Sequence, residues 1–150
     1  GGFTLATTVN DAPFFYHDGS PVRNWYAHTA TPYRGLQSIR QGIYDSLNIV
    51  AVKTITQITP QLGYEYLLKF NFSTLQTAYE SGGKIHSDIG QSLALGGLTR
   101  GVTNMELNAA YAAVANHGEY IKPKLYTKVV DSNGNVILDN TSPVFNSKSV

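Results

Sequence analysis

Apolar residues follow a helical rhythm from Leu36 onward. Leu36, Ile39, Ile43, Tyr44 and Leu47 recur at three- and four-residue spacing, and Val50, Ala51, Ile55 and Ile58 continue an apolar face past the triplet Ser46-Leu47-Asn48. Two amphipathic helices joined at that triplet are predicted. Thr59-Pro60 then offers an N-cap residue and a proline at the first helical position, and Tyr64, Leu67 and Leu68 carry this next helix to about Phe70. Ser73 to Ser81 reads as a further short helix closed by Gly82-Gly83. The clearest helix runs from Thr103 to about His117. Thr103 and Glu106 form a T-x-x-E capping box, and Leu107, Ala110, Tyr111, Val114 and Ala115 fall on one stripe expected to face the core, ending at Gly118.

Outside this central region the pattern changes. Asp11-Ala12-Pro13, Asp18-Gly19-Ser20-Pro21 and Thr31-Pro32 punctuate the first 35 residues, which predicts extended pieces and turns. After Pro123 the chain becomes strand-like, over Leu125 to Val130 and Val136 to Leu138, with a hairpin turn at Asn133-Gly134 whose two residues are expected at positive φ. The fold class is therefore α+β: irregular or extended over 1–35, helical over 36–118, a β-hairpin over 119–139 and a polar tail over 140–150. No repeat interrupts this order.

A chain of 150 residues is one domain's worth and can bury roughly 70% of its unfolded surface. Charged residues make up 14% of it, well under the ~25% of ordinary soluble domains. With a net charge of +1, there is no electrostatic case for nucleic acid or an anionic membrane as partner. The absence of cysteine excludes disulfides and thiol catalysis, and fits an extracytoplasmic domain. The longest apolar run, Ala109 to Ala115, is far short of the ~20 residues of a membrane span. Gly1-Gly2-Phe3-Thr4 has no signal-peptide character, so any secretion signal or anchor is expected outside the chain.

Several chemistries find little support. His17, His28, His86 and His117 lack H-x-x-x-H or H-E-x-x-H spacing, so no metal site and no cofactor are expected. Gly96-Gly97-Leu98-Thr99-Arg100-Gly101 is followed by no G-K-[ST] and reads as the entry to the Thr103 helix rather than a phosphate loop. The aromatic density of residues 14 to 44 suits core packing, or a sugar-stacking surface with Trp25 and Tyr26 near a cleft wall.

Ser46-Leu47-Asn48 is the most informative group. A hydroxyl donates and accepts, a carboxamide offers two donors and an acceptor, and spacing by one residue can put both on one side with Leu47 turned into the core. The alternative is that Ser46 ends a helix and Asn48 bonds local backbone. Its company is distinctive: Asn24-Trp25-Tyr26 and Tyr33-Arg34-Gly35-Leu36-Gln37-Ser38-Ile39-Arg40 upstream, Ser92-Leu93-Ala94-Leu95-Gly96-Gly97-Leu98-Thr99-Arg100-Gly101-Val102-Thr103 and Ala110-Tyr111-Ala112-Ala113-Val114-Ala115-Asn116-His117-Gly118 downstream. In order and spacing, from about Phe3 to Asp139, this set resembles the middle of the transpeptidase domain of penicillin-binding proteins, most closely the class A type. One departure is Asn104, where the family usually has proline.

The resemblance implies a helix-rich fragment of the penicillin-binding-protein and serine β-lactamase-like transpeptidase fold, with a β-hairpin near the C-terminus. It implies catalytic roles for Ser46, relaying a proton around the leaving amine, and Asn48, holding a substrate amide, with Leu47 and Trp25 at the substrate. The family also requires S-x-x-K before S-x-N and K-T-G after it. The S-x-x-K string here, Ser81-Gly82-Gly83-Lys84, follows the triplet, and its glycines suit a helix end. Lys53-Thr54-Ile55 lacks the glycine of K-T-G. The resemblance thus places the nucleophile before Gly1 and the K-T-G strand after Val150, and the isolated chain is expected to be inactive. It implies a parent D,D-transpeptidase that acts through a serine acyl-enzyme on peptidoglycan stem peptides, supplied by lipid-linked precursor and nascent glycan strands, and that is acylated by β-lactams. Such a parent would sit on the extracytoplasmic face of the bacterial cytoplasmic membrane, anchored by an upstream transmembrane helix. The competing expectation is a non-catalytic extracytoplasmic binding or scaffold domain of the same fold.

Overall fold

The computed structural model describes residues 2–141 and 148–150. Helices and short antiparallel strand pairs form two compact units, one of residues 1–65 and 74–101, the other of residues 66–73 and 102–150.

In the first unit, β1 (Thr8–Asp11) pairs antiparallel with β2 (Gly35–Ser38), Thr8 opposite Ser38 and Asp11 opposite Gly35. Period-two alternation turns Val9 and Asp11 inward. Leu36, expected at the start of a helix, lies in β2 and is exposed. Ser38 ends that strand and caps α1 (Ile39–Tyr44), its hydroxyl accepting the Gln41 N–H at 3.1 Å. Helix α1 is only six residues long, and Ile43 and Tyr44 are exposed rather than part of a buried face.

Helix α2 (Asn48–Ile58) is the scaffold of this unit. Leu47 and Val50 pack with Val9 and Tyr26, while Ile49 and Val52 pack with Val22. The strongest contributions thus come from Ile49 and Val52 as well as the predicted Val50, because α2 is covered on more than one side. Gly42 sits where a Cβ would lie 2.5 Å from Val50 Cγ1, so α1 and α2 approach at glycine distance. Thr59 caps α3 (Pro60–Lys69) as predicted, accepting the Leu62 N–H at 3.3 Å.

Residues 73 to 81 form no helix. Tyr79–Ser81 (β3) pairs with Lys84–His86 (β4), and Gly82 and Gly83 are the two turn residues, at φ of 58° and 74°. Two successive positive φ values are the geometry of a two-residue hairpin, so the glycines turn a strand instead of ending a helix. Buried Asp88 then ties the following loop, accepting the Gln76 N–H at 2.8 Å and the Thr99 N–H at 2.6 Å.

The second unit is built on α4 (Asn104–Ala115). Both halves of the capping box are formed, Glu106 N–H to Thr103 Oγ1 at 3.2 Å and Thr103 N–H to Glu106 Oε2 at 3.3 Å. Of the predicted core stripe only Ala110 is buried. Tyr111 is 71% and Val114 67% exposed, whereas Ala109, Ala110 and Ala113 are buried, Ala109 and Ala113 against Tyr120 and Phe70. Small side chains let the helix approach its neighbours closely, and the hydropathy pattern does not separate that face from one of larger apolar residues.

Glu119–Tyr120 (β5) pairs with Lys148–Ser149 (β8). The predicted polar tail therefore contains a strand at its end; its positions 142–147 lie outside the described residues. The predicted hairpin is present as Lys128–Val130 (β6) and Val136–Asp139 (β7), but its turn differs from expectation. Gly134 alone has positive φ, and Asp131 Oδ1 accepts the N–H groups of Asn133 and Asn135, so an Asx-type turn replaces the two-residue one. Among the described residues no helix is long and apolar enough to cross a membrane.

Candidate functional site

The joint between α1 and α2 is made by Ser46. Asp45 caps α1, Ser46 follows at φ 52°, and the Ser46 and Leu47 N–H groups return to the carbonyls of Ile43 (3.3 Å) and Gly42 (2.8 Å). This is a Schellman helix end with serine in the left-handed position that glycine normally occupies. A non-glycine residue there is strained by roughly 1–2 kcal/mol. Backbone strain of this kind clusters at functional sites.

The next two residues turn the chain inward and out again. Leu47 is 1% exposed and plugs the core, while Ser46 is exposed and Asn48 half-buried. Ser46 and Asn48 line the same groove of about 510 Å³, together with Ile39, Gly42, Ile43, Val50, Ala51, Thr54, Ile55, Ala94 and Leu95. The lining has hydroxyls and one carboxamide on an apolar wall, and contains no titratable side chain. The Asn48 carboxamide donates to the carbonyl of Arg23 at 2.8 Å, a partner 25 residues away rather than local backbone.

Trp25 and Tyr26 divide the two roles considered for them. Tyr26 is core, packed with Leu47 and Val50. Trp25 is 65% exposed, yet fixed: its Nε1–H donates to Asp45 O at 3.0 Å, and its ring meets Tyr26 edge-on at 5.2 Å. Arg34 joins this group, paired with Asp45 at 2.7 Å and lying 4.3 Å from the Tyr26 ring centroid.

Beneath lies a polar cluster of Asp11, Asn24, Tyr26 and Arg34, residues that the sequence names in a turn or among the distinctive segments without linking them. Asp11 is fully buried, and it accepts from Asn24 Nδ2 at 2.7 Å, from the Arg34 N–H at 2.8 Å and from the Tyr26 hydroxyl. Burial, reinforced by the hydrogen bond to Asp11, pushes the Tyr26 phenol well above its ordinary range. Tyr26 is therefore a fixed neutral donor. The sequence signal that ties Asp11 to it is the alternation that puts Asp11 on the same strand face as Val9, which becomes readable once β1 is known.

Ser81 and Lys84 sit apart from this site in their own hairpin, exposed and opposite each other across the turn. No helix sets the lysine one turn beyond the serine.

Comparison with known proteins agrees with this architecture. Residues 1–150 match the model of the penicillin binding protein transpeptidase domain. The chain is 34% identical over 98% of its length to penicillin-binding protein 1A of Clostridium botulinum strain Langeland, and 31% identical over 92% to penicillin-binding protein 1A of Escherichia coli K12. It spans 17% and 15% of those two relatives. In fold it is similar to PonA1 from Mycobacterium tuberculosis in complex with penicillin V, with a TM-score of 0.73, 22% identity, and coverage of 93% of this chain and 37% of that one.

Proposed function

This chain belongs to the penicillin-binding protein transpeptidase domain family, and on that premise we propose that it is the S-x-N portion of a peptidoglycan D,D-transpeptidase. The observation that carries this reading is the groove at the α1–α2 joint, where Ser46 and Asn48 are presented together on an apolar wall without any titratable neighbour in the lining.

Nucleophilic attack by a serine needs a base beside it, and nothing lining this groove can serve as one. Family membership gives Ser46 the role of a relay instead: its hydroxyl accepts a proton from one group while donating its own to another, passing a proton from the attacking serine toward the leaving amine. Asn48 gives one N–H to Arg23, which orients the carboxamide and leaves Oδ1 to accept an amide N–H of a stem peptide. Trp25 does not line the groove; exposed and held by Asp45 and Tyr26, it supplies a rigid aromatic surface at the residue before Ser46. Leu47 holds the pair from below.

The nucleophile and the K-T-G strand belong, in this proposal, to the parent protein. There the serine attacks the carbonyl of the D-Ala-D-Ala bond, D-Ala leaves as its amine, and the acyl group passes from the serine to an amine of a neighbouring stem, which frees the serine. A β-lactam bound in the same place is attacked at its carbonyl instead, its ring C–N bond opens, and the serine stays acylated. The parent acts on the outer face of the cytoplasmic membrane, on lipid-linked precursor and nascent strands. Cross-linking by the parent, read as dimeric muropeptides by chromatography and mass spectrometry, tests the assignment. Ser46→Ala and Asn48→Ala should each depress dimer formation, and unchanged dimer yields from both would remove it.

A further inference from the structure

Asn24 is buried, and every polar atom of its side chain is committed. Nδ2 donates to Asp11 Oδ1 at 2.7 Å and to the Tyr26 hydroxyl oxygen at 2.9 Å, and Oδ1 accepts the Ile49 N–H at 3.2 Å. Ile49 is the second residue of α2, where a helix has an unsatisfied donor. Normally the cap residue's own side chain takes it. Here the cap residue is Leu47, which makes no side-chain cap bond because it fills the core. Asn24 supplies the missing acceptor from 25 residues away.

Its neighbours hold the same turn. Arg23 O accepts from Asn48, and Trp25 Nε1 donates to Asp45 O. Three consecutive residues therefore bracket Ser46, one bond before it and two after. The network also has a single direction. Asp11 takes donors from Asn24, Tyr26 and the Arg34 backbone, so a flipped Asn24 amide would set its oxygen against a carboxylate and its NH2 against the Ile49 N–H.

We infer that Asn24 is a positioning residue that sets the Ser46 hydroxyl and the Asn48 carboxamide by fixing the start of α2 against the buried Asp11 carboxylate. This rests on the relay reading of Ser46 and Asn48. The network suggests its own rescue: in the exchanged pair Asp11→Asn with Asn24→Asp, the new residue 11 amide donates to the residue 24 carboxylate, which still accepts the Ile49 N–H. The Arg34 N–H keeps an oxygen at residue 11, while the single Tyr26 hydroxyl hydrogen can serve only one of the two residues, so the exchange restores the residue 11–24 and Ile49 bonds and loses one bond to Tyr26.

The test measures acylation of the parent protein by a reporter penicillin, with amide hydrogen exchange at Ile49 followed in this chain. Asn24→Ala should slow acylation by roughly 10- to 100-fold, the range expected for misplaced catalytic groups, and should speed Ile49 exchange. The exchanged pair should restore both in part, with acylation faster and Ile49 exchange slower than in Asn24→Ala. Tyr26→Phe, which removes one anchor of the network and keeps the ring, should give an intermediate loss and serves if Asn24→Ala does not fold. Wild-type acylation by Asn24→Ala while Ser46→Ala is slow overturns the positioning role and leaves the relay standing. A folded exchanged pair that stays as slow as Asn24→Ala also overturns it. Wild-type rates in Ser46→Ala and Asn48→Ala would instead overturn the relay reading, and this inference with it.

Discussion

The Leu47 amide reaches back across Ser46 to the Gly42 carbonyl at 2.8 Å, closing α1 with a serine at φ 52°. Glycine would fit that backbone without strain, so stability and function should separate here. Ser46→Gly should leave the chain as stable as wild type or up to about 1 kcal/mol more stable, relief of left-handed strain being partly offset by glycine's unfolded-state entropy. Urea unfolding measures this; a loss above that size would mean that the hydroxyl is structural.

Gly42 shows which of two opposed effects wins. Alanine in a helix gains up to about 1 kcal/mol over glycine, but its Cβ would stand 2.5 Å from Cγ1 of buried Val50, a stiff β-branched side chain. Overpacking of this kind costs about 1–3 kcal/mol, so Gly42→Ala should be net destabilising. Val50→Ala in the same chain should absorb part of the penalty. A double-mutant cycle of unfolding energies reads the coupling, and strict additivity would contradict the close contact.

Asp88→Ala should lower stability by about 1–3 kcal/mol, since the half-buried N–H groups of Gln76 and Thr99 lose the carboxylate of buried Asp88. Denaturant titration checks it, and a change below the error of the titration would show that water takes over both donors.

The parts legible in the sequence were those governed by local chemistry. Thr103 and Glu106 lie within one turn of each other, and so do Thr59 and Leu62, so their caps could be read directly. The exposed face of α4 could not. Tyr111 and Val114 are as hydrophobic as core residues, and only the packing of Ala109 and Ala113 on Tyr120 distinguishes the buried side. Gly82-Gly83 is compatible with a helix end and with a hairpin turn, and the choice depends on β3 meeting β4. At the site, Ser46, Leu47 and Asn48 were visible as a spaced triplet. The bonds that tie Asn24 to Ile49 and to Asp11 were not, because a cap supplied from 25 residues away leaves no spacing signature.

Glu106 links the α4 cap to Ser73, whose N–H it accepts at 3.0 Å. That hydrogen bond, followed by the one with Thr103, holds its carboxyl below the ordinary glutamate value of 4.5. A depressed folded value means stability that is present in full above 4.5 and lost as pH falls through the folded value. Thr103→Ala should cost about 1 kcal/mol at neutral pH. Glu106→Gln should flatten the acid limb of the stability profile, and an unchanged limb would mean that the carboxylate contributes nothing to it.

In the proposed function Ser46 and Asn48 assist a nucleophilic serine of the parent protein. Intact-mass measurement of the parent protein with a reporter penicillin tests that most directly, with the isolated chain alongside. A stoichiometric adduct should form on the parent, form slowly with Ser46→Ala or Asn48→Ala, and be unaffected by Ser81→Ala, while the isolated chain stays unmodified. Full-rate acylation of both the Ser46 and Asn48 variants, or an adduct on the isolated chain that Ser81→Ala abolishes, would contradict it.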